Sequence, residues 1–101
     1  MHDQRRVAEF IEEHDLHAEP VYRLLDLSSE VGELAKDAAV STDYGSNPDD
    51  LRISEDELGD ALFALLALAN SLDLDASDAL ATAISKYEAR LDETGSVDSG
   101  A

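Results

Sequence analysis

The sequence predicts an all-α protein that folds as a four-helix bundle and is completed by dimerisation. Fifteen of the 101 residues are Leu and fifteen are Ala, whereas Val and Ile together supply only eight, a balance that favours helices over strands. Hydrophobic residues make up 44% of the chain and recur at helical spacing, so the acidic composition does not indicate disorder.

The first half of the chain contains two predicted helices. The first follows from the helical spacing of Val7, Phe10, Ile11 and His14, and the segment 17–20 ends it. Pro20 suits the first turn of a second helix, which we expect to continue into the low forties. One face of that helix carries Val21, Leu24, Leu27, Val31, Leu34, Ala35 and Ala38. Residues 44–50 then form a loop, because they are rich in Gly, Asn, Pro and Asp.

The second half contains two more helices. Ser54 and Glu57 have the spacing of a capping box, which predicts the start of helix three. The run 61–69 is apolar on every side, so helix three should be the most buried helix. Asp75 can cap helix four. The apolar face of helix four repeats through Leu80, Ile84, Tyr87 and Leu91.

This pattern predicts one helical domain over residues 1–92 and a disordered tail over residues 93–101, which show no periodicity. A bundle of this length cannot cover helix three on all sides. We therefore expect a second chain to provide the cover.

The chain carries 24 Asp and Glu residues against 7 Lys and Arg, a formal net charge of -17. That excess argues against a nucleic-acid partner, which would require clustered basic residues. Asp outnumbers Glu by fourteen to ten and only two residues are Lys, a bias typical of proteins that work in molar salt. We expect a halophilic, haloarchaeal source. An ordinary acidic protein is the alternative that composition leaves open.

The absence of cysteine excludes disulfides, thiolate zinc sites and cysteine nucleophiles. No apolar run is long enough to cross a bilayer, and no signal-peptide stretch follows the first residues. We expect a cytoplasmic protein without a membrane partner.

Two carboxylate pairs stand out by their position. Glu30 and Glu33 lie within helix two, and Glu57 and Asp60 lie early in helix three. The i, i+3 spacing places both members of each pair on one helix face. Four carboxylates that converge from neighbouring helices form an all-oxygen site of the kind that Mg²⁺ or Mn²⁺ requires.

Simpler explanations exist for most of these acids. Those of helix two share an arc with Asp26 and Asp37, which also suits a solvated acidic face. Glu57 could serve only as the capping-box acid. Asp60 is harder to explain, because its helical neighbours belong to the most apolar face, where an unpaired carboxylate would be penalised.

Gly32 and Gly59 each lie inside a carboxylate pair, in mid-helix, where Gly costs about 1 kcal/mol relative to Ala. Close approach of another helix or of a ligand would explain both. Lys86 and Arg90 share one face of helix four at i, i+4 spacing. They could grip phosphate oxygens, although spacing alone favours two cations that complement the helix dipole near its C-terminus.

The order of these segments carries a family likeness. The two carboxylate pairs are separated by 23 residues, and the chain then continues with the apolar run and with Lys86-Tyr-Glu-x-Arg90. The phrases Glu-Val-Gly-Glu-Leu-Ala-Lys and Asp-Glu-Leu-Gly-Asp-Ala-Leu-Phe match as well. Over roughly residues 21–91 the chain resembles the MazG-like all-α nucleotide pyrophosphohydrolases.

The resemblance implies hydrolysis of a nucleoside triphosphate to monophosphate and pyrophosphate, often as housecleaning of the nucleotide pool, by a homodimer or a dimer of dimers. Lys86 and Arg90 would contact the triphosphate, and we choose Glu33 as the hypothetical catalytic base. Lys36 and Asn70 are weaker candidates, since Lys36 could equally lie on the outer surface and Asn70 could mark the helix end. The residues that would ligate magnesium are Glu30, Glu33, Glu57 and Asp60.

Three functional hypotheses follow. The first is a MazG-like pyrophosphohydrolase, and the second is a phosphoribosyl-ATP pyrophosphohydrolase of the same superfamily. The third is a non-catalytic helical interaction protein whose acids confer only salt tolerance. The Gly-containing phrases resemble the MazG branch more closely.

Overall fold

A computed structural model describes residues 1–95 and contains four α-helices over that range. The all-α, four-helix prediction is confirmed. No helix in residues 1–95 is long and apolar enough to cross a membrane. The helices are α1 (His2–Glu13), α2 (Pro20–Ser41), α3 (Glu55–Ser71) and α4 (Ala76–Thr94), with a 3-10 turn at Pro48–Asp50 before α3.

Local sequence explains where three of the helices begin. Pro20 occupies the first turn of α2, where no intrahelical partner for its nitrogen is needed. The Ser54 Oγ accepts a hydrogen bond from the Glu57 N–H at 3.1 Å and so caps α3. Asp75 caps α4 in the same way, accepting from the Asp78 N–H at 2.9 Å, and this bond lowers the pKa of the Asp75 carboxyl. The predicted caps are confirmed.

The last helix extends two residues beyond its predicted end at Asp92. It ends at Thr94 because Gly95 adopts a left-handed conformation, with φ of 72°, and its N–H donates to the Leu91 carbonyl. Glu93 is therefore helical and not part of a disordered tail. The remainder of that predicted tail, residues 96–101, lies outside the described residues.

The hydrophobic core lies where α1 packs on α3. Val7 and Ile11 of α1 meet Leu66 and Ala67 of α3, and Phe63 packs against this cluster. Helix α3 also runs along α2. It contains four buried residues, against three in the shorter α1 and none in α2 or α4, so α3 holds the largest number of buried residues but not a larger fraction than α1.

A buried glutamine fastens α1 to the junction between α3 and α4. The Gln4 Nε2 donates to the Asn70 Oδ1 at 2.9 Å and to the Leu74 carbonyl at 2.7 Å, while its Oε1 accepts from the Ala76 N–H at 2.7 Å. The Asn70 amide nitrogen donates in return to the Gln4 carbonyl. Asn70, a weaker candidate for substrate contact, thus has structural partners within the chain.

We expect Gln4→Ala to lower the free energy of unfolding by about 1–3 kcal/mol, because the change leaves several buried polar groups without partners. Urea unfolding followed by circular dichroism measures the effect. The control is Glu9→Ala, a truncation at an exposed position of the same helix, which should change stability by less than about 0.5 kcal/mol. Equal stabilities of the two variants would contradict the structural role of Gln4.

Apolar faces of α2 and α4 remain uncovered within the single chain. The predicted stripe of α2 leaves Val21 and Val31 at least half exposed, and on α4 the side chains of Leu80 and Ile84 are 54% and 47% exposed. Helix α4 joins the core at Ala76 but packs along neither α2 nor α3. Residues 1–95 leave these apolar faces accessible to solvent.

Candidate active site

The two carboxylate pairs face each other where α2 and α3 pack together, and we call this region the α2–α3 seam. At one end of the seam, Glu30 and Asp60 line a single cleft of about 340 Å³. At the other end, the Glu57 carboxyl interacts with the side chains of Asp37 and Glu33. The order of these partners shows that the two helices run antiparallel.

Glu57 is the most perturbed acid of the seam. Its side chain is half-buried, and its Oε2 is shielded from solvent and without a hydrogen-bond partner. A hydrogen bond to the Asp37 side chain, available when one carboxyl of the two is protonated, raises the Glu57 pKa from 4.5 to about 7, with further contributions from desolvation and from the charges of Asp37, Glu33 and Asp56. Helix capping therefore does not account for this side chain.

The seam has the donor chemistry for a hard cation. Its charged groups are carboxylates apart from Arg23, and the shielded Glu57 oxygen lacks a partner that an ion would supply. Across residues 1–95 no three acidic or histidine side chains already surround one point. The residues fit a magnesium or manganese ion, and its binding stays a prediction.

Burial was expected to penalise the charged form of Asp60, but it is the charged form of Glu57 that burial penalises. Asp60 is exposed, because its position on α3 points it into the cleft and not toward α1. Ala64, four residues further along the same face, lines the same cleft and is buried, so the exposure of this face decreases from Asp60 to Ala64. The sequence argument that an unpaired Asp60 would be penalised is therefore wrong for the single chain.

The two mid-helix glycines have open surroundings. A Cβ atom built on Gly32 or on Gly59 would meet no atom within 4 Å. Close approach of another helix of the same chain, one of the two expected explanations, is therefore wrong for the described residues. Gly59 does line the cavity between α1 and α3, which leaves a ligand as an explanation for that position.

The basic candidates lie away from the seam in sequence and on a separate helix. Lys86 and Arg90 flank Tyr87 on α4, with the Lys86 Nζ 5.2 Å and the Arg90 Cζ 5.7 Å from the centre of the aromatic ring. Within residues 1–95, α4 packs extensively along neither seam helix. Lys36 is exposed on α2.

Three charged residues of the seam were not among the sequence candidates: Asp37, Arg23 and Asp26, of which Asp26 lines the cleft beside Glu30. Asp37 bonds with Glu57, and its place four residues after Glu33 on the same arc of α2 was the available signal. Arg23 lines the cleft with Glu30, and its guanidinium donates to the Leu16 carbonyl. No sequence spacing indicated Arg23, because its position depends on how the chain turns from α1 into α2.

Glu57 gives the metal-free protein a pH-dependent stability. Between pH 4.5 and about 7 the folded chain holds a proton that the unfolded chain has released. The stabilising contribution is therefore complete below about pH 4.5 and lost as the pH rises through 7. We expect Glu57→Gln, which cannot ionise, to nearly match the wild-type Tm at pH 5 and to exceed it at pH 8.

Thermal unfolding of both proteins, without divalent metal and at constant potassium chloride, checks this expectation. Glu9→Gln, which removes an exposed charge from α1, controls for the lower net charge. A Tm difference between wild type and Glu57→Gln that stays constant over this pH range would contradict the raised pKa.

The fold and the seam define a class of protein, an all-α domain in which two antiparallel helices present facing carboxylate pairs to a cleft. The model of the MazG nucleotide pyrophosphohydrolase domain matches residues 19–94, a range that holds α2, α3 and α4. The chain belongs to the MazG nucleotide pyrophosphohydrolase family. The resemblance predicted from the sequence is thus confirmed.

A similar protein is YpjD of Bacillus subtilis, which is uncharacterised. It is 37% identical over 75 residues, which cover 70% of this chain and 66% of that protein. A crystal structure of YpjD, a candidate pyrophosphatase, matches this fold with a TM-score of 0.67 at 34% sequence identity. The match covers 86% of this chain and 90% of the YpjD chain. These matches support a hydrolase of the pyrophosphatase class.

Proposed function

We propose that this protein is a magnesium-dependent nucleotide pyrophosphohydrolase, which cleaves nucleoside or deoxynucleoside triphosphates to the monophosphate and pyrophosphate. The observation that carries the proposal is the Glu57 carboxyl, which faces Asp37 and Glu33 with one oxygen hidden and without a partner. An acidic site of this kind is stabilised by a bound cation. Family membership supplies the reaction class.

The residues that would hold magnesium, or manganese in its place, lie at both ends of the seam. Their oxygens suit a hard cation, and the half-burial of Glu30 and Glu57 limits competition from solvent. When bound, the ion would bind phosphate oxygens and lower the pKa of water. The four proposed ligands are Glu30, Glu33, Glu57 and Asp60.

Glu33 is the proposed base for the attacking water. Its side chain is exposed, so water reaches its oxygens, and it lies within the electrostatic influence of Glu57. The water oxygen forms a bond to the α-phosphorus as its proton passes to Glu33. The bond from the α-phosphorus to the bridging oxygen breaks, and pyrophosphate leaves with that oxygen.

Lys86 and Arg90 are proposed to contact the triphosphate and offset its charge. Both lie on α4, which packs along neither seam helix in the single chain. The pair would therefore reach a seam only within an assembly, where α4 of one chain lies over α2 and α3 of another. The proposed substrate site thus requires more than one chain.

A homodimer, or a dimer of dimers, is the assembly we propose. On α3, Leu58 and Leu65 form an apolar row and are 59% and 48% exposed. Helix α4 offers a second apolar row, in which Leu80 and Leu91 are 54% and 49% exposed. Mutual burial of such rows is the usual source of association free energy.

The remaining acids are proposed to form a solvated coat that serves salt tolerance in a halophilic cytoplasm. The net charge of -17 would repel nucleic acids and other polyanions from the surface. The proposed physiological role is housecleaning of the nucleotide pool, with a nucleoside triphosphate as substrate and neither nucleic acid nor membrane as partner.

Pyrophosphate release tests the proposal. The purified protein is incubated with magnesium in high potassium chloride and with a panel of ribonucleotides, deoxyribonucleotides, phosphoribosyl-ATP and inorganic pyrophosphate. We expect nucleoside monophosphate and pyrophosphate in equal amounts from one or more triphosphates, and no turnover with chelator. Turnover of phosphoribosyl-ATP alone identifies the histidine-synthesis reaction, and hydrolysis of inorganic pyrophosphate alone excludes nucleotides. No turnover at all supports a non-catalytic interaction protein.

A further inference from the structure

A cavity between α1 and α3 continues directly from the carboxylate cleft. This α1–α3 cavity has a volume of about 750 Å³ and is lined by Phe10, Phe63, Gly59 and Arg6, among others. Phe63 lines the carboxylate cleft as well, and a shallow depression that includes Gly59 and Asp60 connects the two. A molecule bound at Asp60 therefore has an open path into the cavity.

The cavity has aromatic walls. Phe10 and Phe63 form an edge-to-face pair with ring centres 5.8 Å apart, and Phe10 remains 46% exposed. Exposed aromatic rings attract the flat faces of nucleobases, whatever their sequence. Phe63 lines both the carboxylate cleft and the α1–α3 cavity.

The spacing suits a nucleotide. Asp60 and Phe63 are one helical turn apart on α3, an axial distance of about 5 Å, so a sugar can join phosphates at the seam to a base in the cavity. Gly59 keeps the path open, since no side chain projects from it. At the rim the Arg6 guanidinium, paired with Asp3 at 3.0 Å, offers hydrogen-bond donors beside an acceptor.

We propose that the α1–α3 cavity receives the nucleobase of the substrate, with Phe10 and Phe63 as its aromatic walls and Arg6 as the residue that discriminates among bases. This inference rests on the proposed function, which supplies the phosphates at the seam. The apolar walls alone would also suit a second copy of the chain. The continuity with the carboxylate cleft and the polar rim favour the base.

Paired ligands with and without a base test the proposal. The probes are α,β-imido nucleoside triphosphates of four bases and inorganic tripolyphosphate, titrated calorimetrically into the protein with magnesium in high potassium chloride. We expect Phe10→Leu to weaken nucleotide binding about tenfold or more and to leave tripolyphosphate binding unchanged. Phe10 is half-exposed, so the variant should fold; thermal unfolding checks this.

Two substitutions with matched controls sharpen the test. Gly59→Ala places a methyl group on the path, whereas Gly32→Ala makes the same change on α2, away from the cavity. Both changes favour a helix, so a loss of nucleotide affinity in Gly59→Ala alone supports the path. Arg6→Ala should alter the order of preference among the four bases, whereas Arg5→Ala, one residue away and outside the cavity, should not.

The results distinguish failure of the base-pocket proposal from failure of the proposed function. Wild-type protein that binds neither probe contradicts both. Wild-type protein that binds nucleotide, with Phe10→Leu unchanged or equally weakened for tripolyphosphate, overturns the base pocket alone. A Phe10→Leu variant that changes the mass measured by light scattering, with unaltered nucleotide affinity, assigns the cavity to a second chain and also overturns the proposal.

Discussion

Asp60→Asn should lower magnesium-dependent turnover about a hundredfold or more, while the free energy of unfolding of the metal-free protein stays within about 0.5 kcal/mol of wild type. Loss of a residue that only orients a metal ligand already costs about ten- to a hundredfold, so loss of a ligand itself should cost at least as much. Stability should not change, because Asp60 is exposed and supports no part of the core.

Steady-state pyrophosphate release at saturating magnesium measures the loss, and a magnesium titration followed by thermal unfolding shows whether metal binding is lost with it. Asp15→Asn is the matched control. Asp15 is exposed and has a left-handed backbone with φ of 51°, which Asn also tolerates, so the same charge is removed without strain. Wild-type turnover in Asp60→Asn, or an equal loss in both variants, would remove Asp60 from the site.

Substitutions of Asp60 and of Glu57 should have different effects on the stability of the metal-free protein. Both are proposed ligands, yet Glu57 has a shielded oxygen and a pKa of about 7, whereas Asp60 lies in the open cleft. Neutralising Glu57 removes repulsion that the fold tolerates above neutral pH, so stability rises as activity falls. A residue that trades stability for activity in this way is characteristic of functional sites.

The sequence predicted the helices well because their signals are local. Ser54 and Asp75 cap helices at the expected positions, and Pro20 starts α2. The fading periodicity predicts that α4 ends near Asp92, but the left-handed Gly95 sets the actual end. A conformation of one residue decided that boundary, and apolar spacing does not report it.

The site was only partly predictable, because the relative position of two helices is not a local property. Spacing identified which acids share a face of α2 or α3, but not that Asp37 would meet Glu57 or that Arg23 would line the cleft. Apolar neighbours predict burial of Asp60, yet it is exposed, whereas Ala64, one turn further along the same face, is buried. Burial along one helix face depends on how the neighbouring helices pack against it, which is a property of the whole domain.

Removal of the basic pair on α4 should also have a large effect on activity. The double substitution Lys86→Ala and Arg90→Ala should lower kcat/KM about a hundredfold or more, because two charge-assisted contacts to phosphate are lost together. A control on the same helix is Glu88→Ala, which changes a side chain between the two without removing a cation. Pyrophosphate release under subsaturating nucleotide measures the effect.

Mixing experiments reveal which chain supplies the basic pair. Since α4 packs along neither seam helix of its own chain, we expect Lys86 and Arg90 to serve the seam of a partner. Glu57→Gln protein mixed in equal amounts with the Lys86→Ala, Arg90→Ala protein should then regain about a quarter of wild-type activity. Half of the randomly reassociated dimers are mixed, and each mixed dimer has one intact site of its two.

The recovered activity would differ if the basic pair acted within its own chain. If α4 served the seam of its own chain, every site in every mixed dimer would retain one defect, and mixing would restore nothing. Light scattering checks that the chains separate at low salt and reassociate in high potassium chloride, where screening of the net charge of -17 favours association. An affinity tag on one variant, used to capture the other, confirms that mixed dimers have formed. Recovery near a quarter therefore requires both a dimer and a basic pair that acts across it, whereas absence of recovery in confirmed mixed dimers contradicts the shared site.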